Sequence, residues 1–582
     1  MAESAEAASR NSSRVETPVT HSSTGRARGL LRRRIKQDMK ESPIHIIVSD
    51  VLIIGSGIAG LRAALEVTRK GKRPLLISKS ATGKSNNTYR SGGVFTCSTP
   101  QWSPDNHLRE TLESGRMLND RSLVEILVTR APSLIQEFVD MGMFSTQRKT
   151  GVSFRRSTLL GGPEITSTLT RRCLEAGIQT MERVLVTDLI VSDGRCHGAL
   201  GFDKRTGEVY GFHSGAVLLA TGGAGAIYSQ HDNVPGALGD GYVLAMRAGL
   251  ELIDMEFAQF YPLVFAGSRN RSIILPAAFA DIGIIRNRLG EDLKIKYNLH
   301  KKPIAILSRD RLSQVFFGEI AQGNGVDEAM LLDMRGSDER LIDLGGLTAE
   351  SRDLFRRKFS YDSKPIMITP ASHFTMGGIP IDRLGRTALG GLFAAGEVSG
   401  GIHGANRMGG NALSEGLVFG VLGAHSAVEY ADSESRSGDF QDLCRSAAHK
   451  RFSPLKGESQ TPSDVPLLMR ELKDILWKKV GIVRNEISLS EGLKKIDDIL
   501  ERLSTQRSVI PRDLYRIMEC TSAAMTSRAV AVSALERTES RGAHFRDDFP
   551  EENNQWLKHI HVKMVGEIPR VSRIIPIPDV EE

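Results

Sequence analysis

The sequence predicts an α/β (α+β) chain: a Rossmann-like nucleotide-binding domain interrupted by an insertion and followed by a helical domain. Three observations carry that expectation. The apolar run Asp50-Val51-Leu52-Ile53-Ile54 passes through Gly55-Ser56-Gly57-Ile58-Ala59-Gly60 into Leu61-Arg62-Ala63-Ala64-Leu65-Glu66, which is strand, glycine turn and helix in succession. Apolar strands ending in glycine recur far along the chain, at residues 216–225 and 391–397. Between residues 464 and 545 the apolar positions fall at three- and four-residue spacing, as at Leu468, Leu472, Ile475 and Leu476, the pattern of packed helices.

Each glycine of the first unit has a task. Gly55 permits the tight turn, Gly57 lets backbone approach a pyrophosphate, and Gly60 allows helix to pack closely on strand. The helix N-terminus then faces the phosphates. Pro74-Leu75-Leu76-Ile77 is the expected second strand. An acid for the adenosine ribose is expected at its end, but Ser78-Lys79 stands there, which weakens a plain NAD assignment. Three strands ending in glycine turns suit a longer ligand lying across the sheet, such as FAD.

Composition excludes other classes. The 582 residues call for three or four structural units. The 57 glycines are aperiodic and clustered, as where backbone meets ligand. Net charge is +7, much of it in the run RARGLLRRRIK at 26–36, a solvated tail. Aromatic residues do not interleave with these charges, so no nucleic-acid platform is expected. Cys97, Cys173, Cys196, Cys444 and Cys520 form no CxxC pair, so the chain is expected to hold no iron–sulfur cluster and no metal of its own. Isolated thiols suit a reducing, cytoplasmic setting. No apolar run nears the ~18 residues of a membrane span. Residues 1–47 are read as a disordered basic tail. An apolar signal region is lacking there, Glu3, Glu6 and Glu16 oppose a transit peptide, and Met39 is an alternative start just ahead of the first strand.

The longer motifs then add up. They are TPASHFTMGGIPIDRLGRTALGGLFAAGEVSGGIHGANRMGGNALSEGLVFG from Thr369, TGGAGAIYSQHDNVPGALGDGYVLAMRAG from Thr221, VGIVRN from Val480 and ESRGAHFRDDFP from Glu539. Together they resemble the succinate dehydrogenase, fumarate reductase and L-aspartate oxidase flavoproteins over nearly everything after residue 48. The resemblance implies an FAD-binding domain at 48–230 and 370–432, a capping domain at 231–369 on the substrate side, a helical domain at 433–545 and a C-terminal segment at 546–582. It implies FAD held by Gly55, Ser56, Gly57, Ile58, Ala59, Gly60, Ser78, Lys79, Ser85, Asn87, Thr88, Gly92, Gly93, Val186, Ala220, Thr221, Gly222, Gly223, Asp240 and Glu397. Arg407, Asn411, Ala412, Leu413 and Ser414 complete that set. A helix expected over 411–430 would aim its positive end at the reduced ring. Family members with covalent FAD use a His in the loop after the second strand. Residues 84–93 contain none, so attachment is expected to be non-covalent.

The resemblance also implies His373 and Arg407 as grips on a small carboxylate substrate, a chemistry that suits a guanidinium fork and a charge-assisted imidazole donor. The family's Phe-His-Pro-Thr run reads Phe260-Tyr261-Pro262-Leu263 here. Its proton-shuttling Arg aligns with Ala280, within Pro276-Ala277 and Ala280-Asp281-Ile282-Gly283. Arg286, Arg288 and Arg309 are the candidate replacements, Arg309 counted among the catalytic residues. Tyr261 and Leu263 suit a less polar distal group than a carboxylate. The expected activity is hydride transfer between flavin N5 and a carboxylate. Open alternatives are an L-aspartate oxidase-like amino-acid oxidase, a divergent member with another substrate, and a non-catalytic FAD-binding subunit. The family further implies an iron–sulfur electron-transfer partner and peripheral placement at the inner face of a membrane through such partners.

Overall fold

The computed structural model describes residues 43–577 apart from 156–159, 267–272, 338–348, 435–436, 456–463 and 509. The basic run at 26–36 and Met39 lie outside the described residues.

β1 (His45–Ile54) is central because Val51, Leu52, Ile53 and Ile54 are apolar on both faces and buried, as a parallel strand covered on both sides requires. It begins at His45, inside the stretch read as tail. Residues 45–49 pair with residues 210–214 through backbone while Ile46 and Val48 stay exposed, so apolar burial gives no sign of them. α1 (Ile58–Arg69) follows the glycine turn, and β2 (Pro74–Ser78) lies parallel to β1 with Val51 opposite Pro74. β3 (Gln179–Glu182), β4 (Val184–Ser192), β5 (Arg195–Asp203) and β6 (Val209–Leu219) complete the order β3-β2-β1-β6-β5-β4. β6 is parallel to β1 and antiparallel to β5.

A Cβ on Gly55 would stand 2.1 Å from the Ala220 carbonyl oxygen, at a φ of +114°. One on Gly60 would stand 1.9 Å from the oxygen of Gly55. Both positions are therefore closed to any other residue, for the two reasons the motif predicts.

After α2 (Asp240–Arg247) the chain leaves this sheet. β7 (Ala258–Phe265), β8 (Ile284–Arg286), β9 (Met330–Asp333) and β10 (Ile366–Thr375) form a four-stranded antiparallel sheet in the order β7-β10-β9-β8. α3 (Arg309–Ala321) packs on β7. This insertion has its own core, including Leu263, Phe279, Ala280, Leu312 and Phe316. β10 carries the chain back, and β11 (Leu392–Ala394) rejoins the main sheet parallel to β6, Phe393 opposite Leu218. α4 (Asn411–Ser433) then crosses α1, Gly416 and Gly420 meeting Ile58 and Ala59.

The spaced apolar residues become α5 (Val465–Lys479), α6 (Glu486–Ser504) and α7 (Pro511–Glu536). The segment VGIVRN joins α5 to α6, and Asn485 caps α6 in a capping box with Ser488. The C-terminal segment forms a hairpin, β12 (Lys558–Val565) and β13 (Ile568–Pro576), turning at Gly566 with φ +63°.

Candidate active site

The first turn of α1 opens at Gly57 with no side-chain cap, leaving backbone donors at the end of β1. The Ile58 amide donates to Thr88 Oγ1 at 3.1 Å. Space lies in front of this turn. A Cβ on Gly57 would meet only Thr88 Oγ1 at 3.4 Å, and one on Gly92 or Gly222 would meet nothing within 4 Å. Around the space stand buried polar atoms with unmet demand: Thr221 Oγ1 and Asp240 Oδ1 have no partner among the described residues. The Glu397 carboxylate accepts from the Thr375 amide at 3.1 Å and Asn87 Nδ2 at 3.3 Å. Burial still pushes it up to about 7, so it gains from further donors. Amides for a pyrophosphate and acceptors for sugar and ribityl hydroxyls are what FAD requires; the residues fit the cofactor.

The remaining expected cofactor residues are placed as follows. Ser56 Oγ donates to Ser78 Oγ at 3.1 Å. Lys79 is paired to Asp240 and, at 3.1 Å, to Glu519 of α7. Burial alone would lower its ammonium, but the two acids hold it above its ordinary value. Val186 and Ala220 are buried at the ends of β4 and β6. Ser85 and Gly92 are exposed in the loop after β2, while Gly93 packs against Phe154 and Gly161. α4 starts at Gly410 with φ +87° and no side-chain cap. Asn411 bonds His107 and Thr111, and Ser414 Oγ donates to the Thr96 carbonyl at 2.7 Å. What α4 offers a ring is therefore its uncapped amides at Ala412 and Leu413.

The cationic cluster lies where β10, β7 and the loop before α4 meet. Arg407 is 5% exposed. Its Nη2 donates to Gln259 Oε1 at 2.8 Å, its Nη1 to the Met408 carbonyl at 3.1 Å, and its plane lies 4.8 Å from the Phe374 ring centre. Its Nε has no partner among the described residues. Burial, with Arg309 adding, pushes this guanidinium down to about 9. A cation so placed is stabilised by any carboxylate that reaches it. Arg309, the first residue of α3, donates from Nη2 to Asn406 Oδ1 at 2.7 Å and to the Arg407 carbonyl at 2.8 Å. Its Nε has no hydrogen-bond partner among the described residues and lies 3.9 Å from Asp310 Oδ1. His373 Nδ1 lies 2.6 Å from Asp232 Oδ2.

Three expectations need correction. Leu263 does not wall the cleft: like Ala280 it is 0% exposed, inside the core of the insertion, where apolar side chains are stabilised and a polar one would not be. Tyr261 is at the cleft, its ring 5.8 Å from that of His373, but its hydroxyl donates to the Leu275 carbonyl at 3.0 Å. Arg286 bonds the Gly290 carbonyl on the edge strand β8, and Arg288 is exposed in the turn beyond it, so neither joins the cluster. Sequence reasoning missed Asp232, Asn233, Gln259 and Asn406. Asp232 sits inside a quoted motif, but its partner is 141 residues away, and only the fold joins them.

Fold and groove define an FAD-dependent oxidoreductase. Residues 50–413 match the FAD binding domain family and residues 469–572 match the fumarate reductase flavoprotein C-terminal family. The chain is 34% identical over 536 residues to a chain of the CoM/CoB fumarate reductase of Methanothermobacter marburgensis, covering 88% of this chain and 96% of that one. It is 31% identical over 541 residues to the chloroplastic L-aspartate oxidase of Arabidopsis thaliana, covering 86% and 81%. Among solved structures, FrdA of E. coli quinol fumarate reductase matches with a TM-score of 0.82 at 26% identity, over 93% of this chain and 98% of that one. Mycobacterium smegmatis Sdh1 matches with 0.80 at 27%, over 92% and 95%. The chain belongs to the family of succinate dehydrogenase and fumarate reductase flavoproteins, which has L-aspartate oxidases among its relatives.

Proposed function

We propose that the protein binds FAD non-covalently and interconverts a short carboxylic acid with its unsaturated form. The cofactor supplies hydride exchange when bound. The observation that carries the reading is Arg407: a buried guanidinium whose Nε has no hydrogen-bond partner among the described residues, close enough to Glu397 and Asp232 for their charges to act on it. Arg407 and Arg309 hold one carboxylate, and the distal end of the substrate lies near Tyr261. The units 48–230 with 370–432, 231–369, 433–545 and 546–582 correspond to cofactor, cap, helical and terminal parts. Absence of His from residues 84–93 supports non-covalent attachment.

Likeness to the E. coli and M. marburgensis proteins supports an iron–sulfur electron-transfer partner for a cytoplasmic chain placed at a membrane face only through that partner. Among the described residues no helix is long and apolar enough to cross a membrane. The test is anaerobic bleaching of the bound flavin by succinate, L-aspartate and related acids, followed by re-oxidation with fumarate, quinone or oxygen. Bleaching by a saturated acid and recovery with its unsaturated partner support the reading; an intact flavin inert to all of them overturns it. The relation to the Arabidopsis L-aspartate oxidase favours an amino-acid oxidase as the second reading, recognised by hydrogen peroxide formed from L-aspartate.

A further inference from the structure

At the positions its family uses, the site lacks a proton carrier. Making or breaking a carbon–carbon double bond exchanges a proton as well as a hydride. Ala280 has no proton to give and is packed in the core of the insertion. Tyr261 spends its hydroxyl on Leu275, and burial raises its pKa further. His231 bonds the Asn233 carbonyl at 3.1 Å. Burial, with Lys473 adding, pushes it down to about 4, so it stays neutral at ordinary pH.

His373 is different. Its Nδ1 is 2.6 Å from Asp232 Oδ2, and the acid side chain is 3% exposed against 26% for the imidazole. The other Asp232 oxygen accepts from Asn233 Nδ2 at 3.0 Å. The same amide nitrogen donates to the carbonyls of Ser372 and His373, each at 3.1 Å. Acid, amide and the backbone under the histidine form one frame that fixes the ring. With Nδ1 anchored, Nε2 is the free nitrogen, and it has no hydrogen-bond partner among the described residues. One end anchored on a buried acid and the other open is the arrangement of a general acid–base. The charged and titratable groups that interact with Asp232 are Arg90 from the loop after β2, Arg407, Tyr261 and His231. Arg309 stands behind Arg407, and Lys473 behind His231.

We propose that His373, positioned by Asp232, is the catalytic acid and base of this enzyme, its Nε2 exchanging a proton with the substrate carbon next to the one that exchanges hydride. The proposal rests on the carboxylate reading above. In reduction, bound FAD would supply the hydride that forms a C–H bond on one carbon. The Nε2–H bond breaks and its proton forms the C–H bond on the neighbour. The π bond is consumed, the two electrons the substrate gains would come from the bound cofactor, and the neutral imidazole recovers a proton from water. Oxidation runs the reverse. Asp232 holds the tautomer and faces the imidazolium.

The experiment has two arms on the FAD-loaded protein. In the first, histidine is labelled with nitrogen-15 and His373 is assigned by its loss in His373→Gln. The expected spectrum has neutral His373 protonated at Nδ1, with Nε2 bare. His559, 2.6 Å from Asp254, provides an internal comparison. A ring protonated only at Nε2 overturns the proposal. In the second arm, Asp232→Asn and Asp232→Glu are compared for malonate affinity, read from the flavin spectrum, and for re-oxidation by an unsaturated acid across pH. Asp232→Asn is expected to bind malonate within ~3-fold but to react about 100-fold more slowly. Its pH–rate profile should differ from that of the wild type. Asp232→Glu should recover most of the rate. Asp232→Asn reacting at the wild-type rate with an unmoved profile overturns the relay alone. Should Asp232→Asn not fold, the wild-type spectrum and Asp232→Glu decide. If no carboxylate exchanges electrons with the wild-type flavin, the carboxylate reading and the relay fall together.

Discussion

Arg309, the first residue of a helix in the insertion, donates to the carbonyl oxygen of Arg407 at 2.8 Å, across 98 residues of chain. Its other contact, Asn406 Oδ1 at 2.7 Å, is shared with Gln259 Nε2 at the same distance. The insertion thus holds the loop that presents the Arg407 guanidinium. Gln259 of the neighbouring strand and Asp310 of the same helix hold that loop as well, through Arg407 and Asn406.

Replacing Arg309 with Gln should therefore weaken carboxylate binding more than it weakens the cofactor. A charge-assisted bond of this kind contributes about 1.5–3 kcal/mol, so the dissociation constant for malonate should rise about 10- to 100-fold. FAD content should be unchanged. Titration of the flavin spectrum with malonate measures the first, and absorbance of the purified protein the second.

Arg407→Gln removes the proposed grip itself. At about 100 times its dissociation constant a ligand stabilises the native state by about 2.7 kcal/mol, which a thermal melt of the wild type should register as a rise with malonate. The variant should melt at one temperature with or without malonate. A rise in both would place the carboxylate elsewhere.

Gly57 and Gly60 should separate folding from cofactor binding. Gly60→Val pushes side-chain atoms into the Gly55 carbonyl, from which even a Cβ would stand only 1.9 Å, so little folded protein is expected. Gly57→Val meets only Thr88 Oγ1, at 3.4 Å from the Cβ, and should fold. It fills the space in front of α1, so it should purify colourless. Circular dichroism and flavin absorbance read the two outcomes.

Glu397 predicts a pH dependence. Burial raises its carboxyl to about 7 from an ordinary 4.5, so the folded apoprotein holds a proton that the unfolded chain releases. Stability from this group is full below about pH 4.5 and declines as pH rises toward about 7. In Glu397→Gln that decline should be absent between those values. Urea melts of apoprotein at pH 5 and pH 7 compare the two.

Sequence patterning revealed the cofactor half of the site and little of the substrate half, for a physical reason. Gly55, Gly57 and Gly60 act on neighbours within one turn, so local spacing exposes them. β11 was readable because a buried run ending in Gly396-Glu397 repeats the composition of β6. Asp232, Asn233 and Gln259 act across the fold, and their spacing carries no period. Leu263 and Ala280 show the converse: what reads in sequence as a loss at the site is, in the structure, a gain of packing in the insertion. The first residues of β1 escaped because backbone pairing with β6, not apolar burial, holds them.

Everything turns on a carboxylate bound beside the flavin by Arg407. The most direct measurement is a malonate titration of the holoprotein, followed in the flavin absorbance, for wild type and Arg407→Gln in parallel. A saturable spectral change in the wild type, lost in the variant while FAD stays bound, is the predicted result. A wild-type flavin whose spectrum no short dicarboxylate perturbs, or an equal response in Arg407→Gln, would contradict the account.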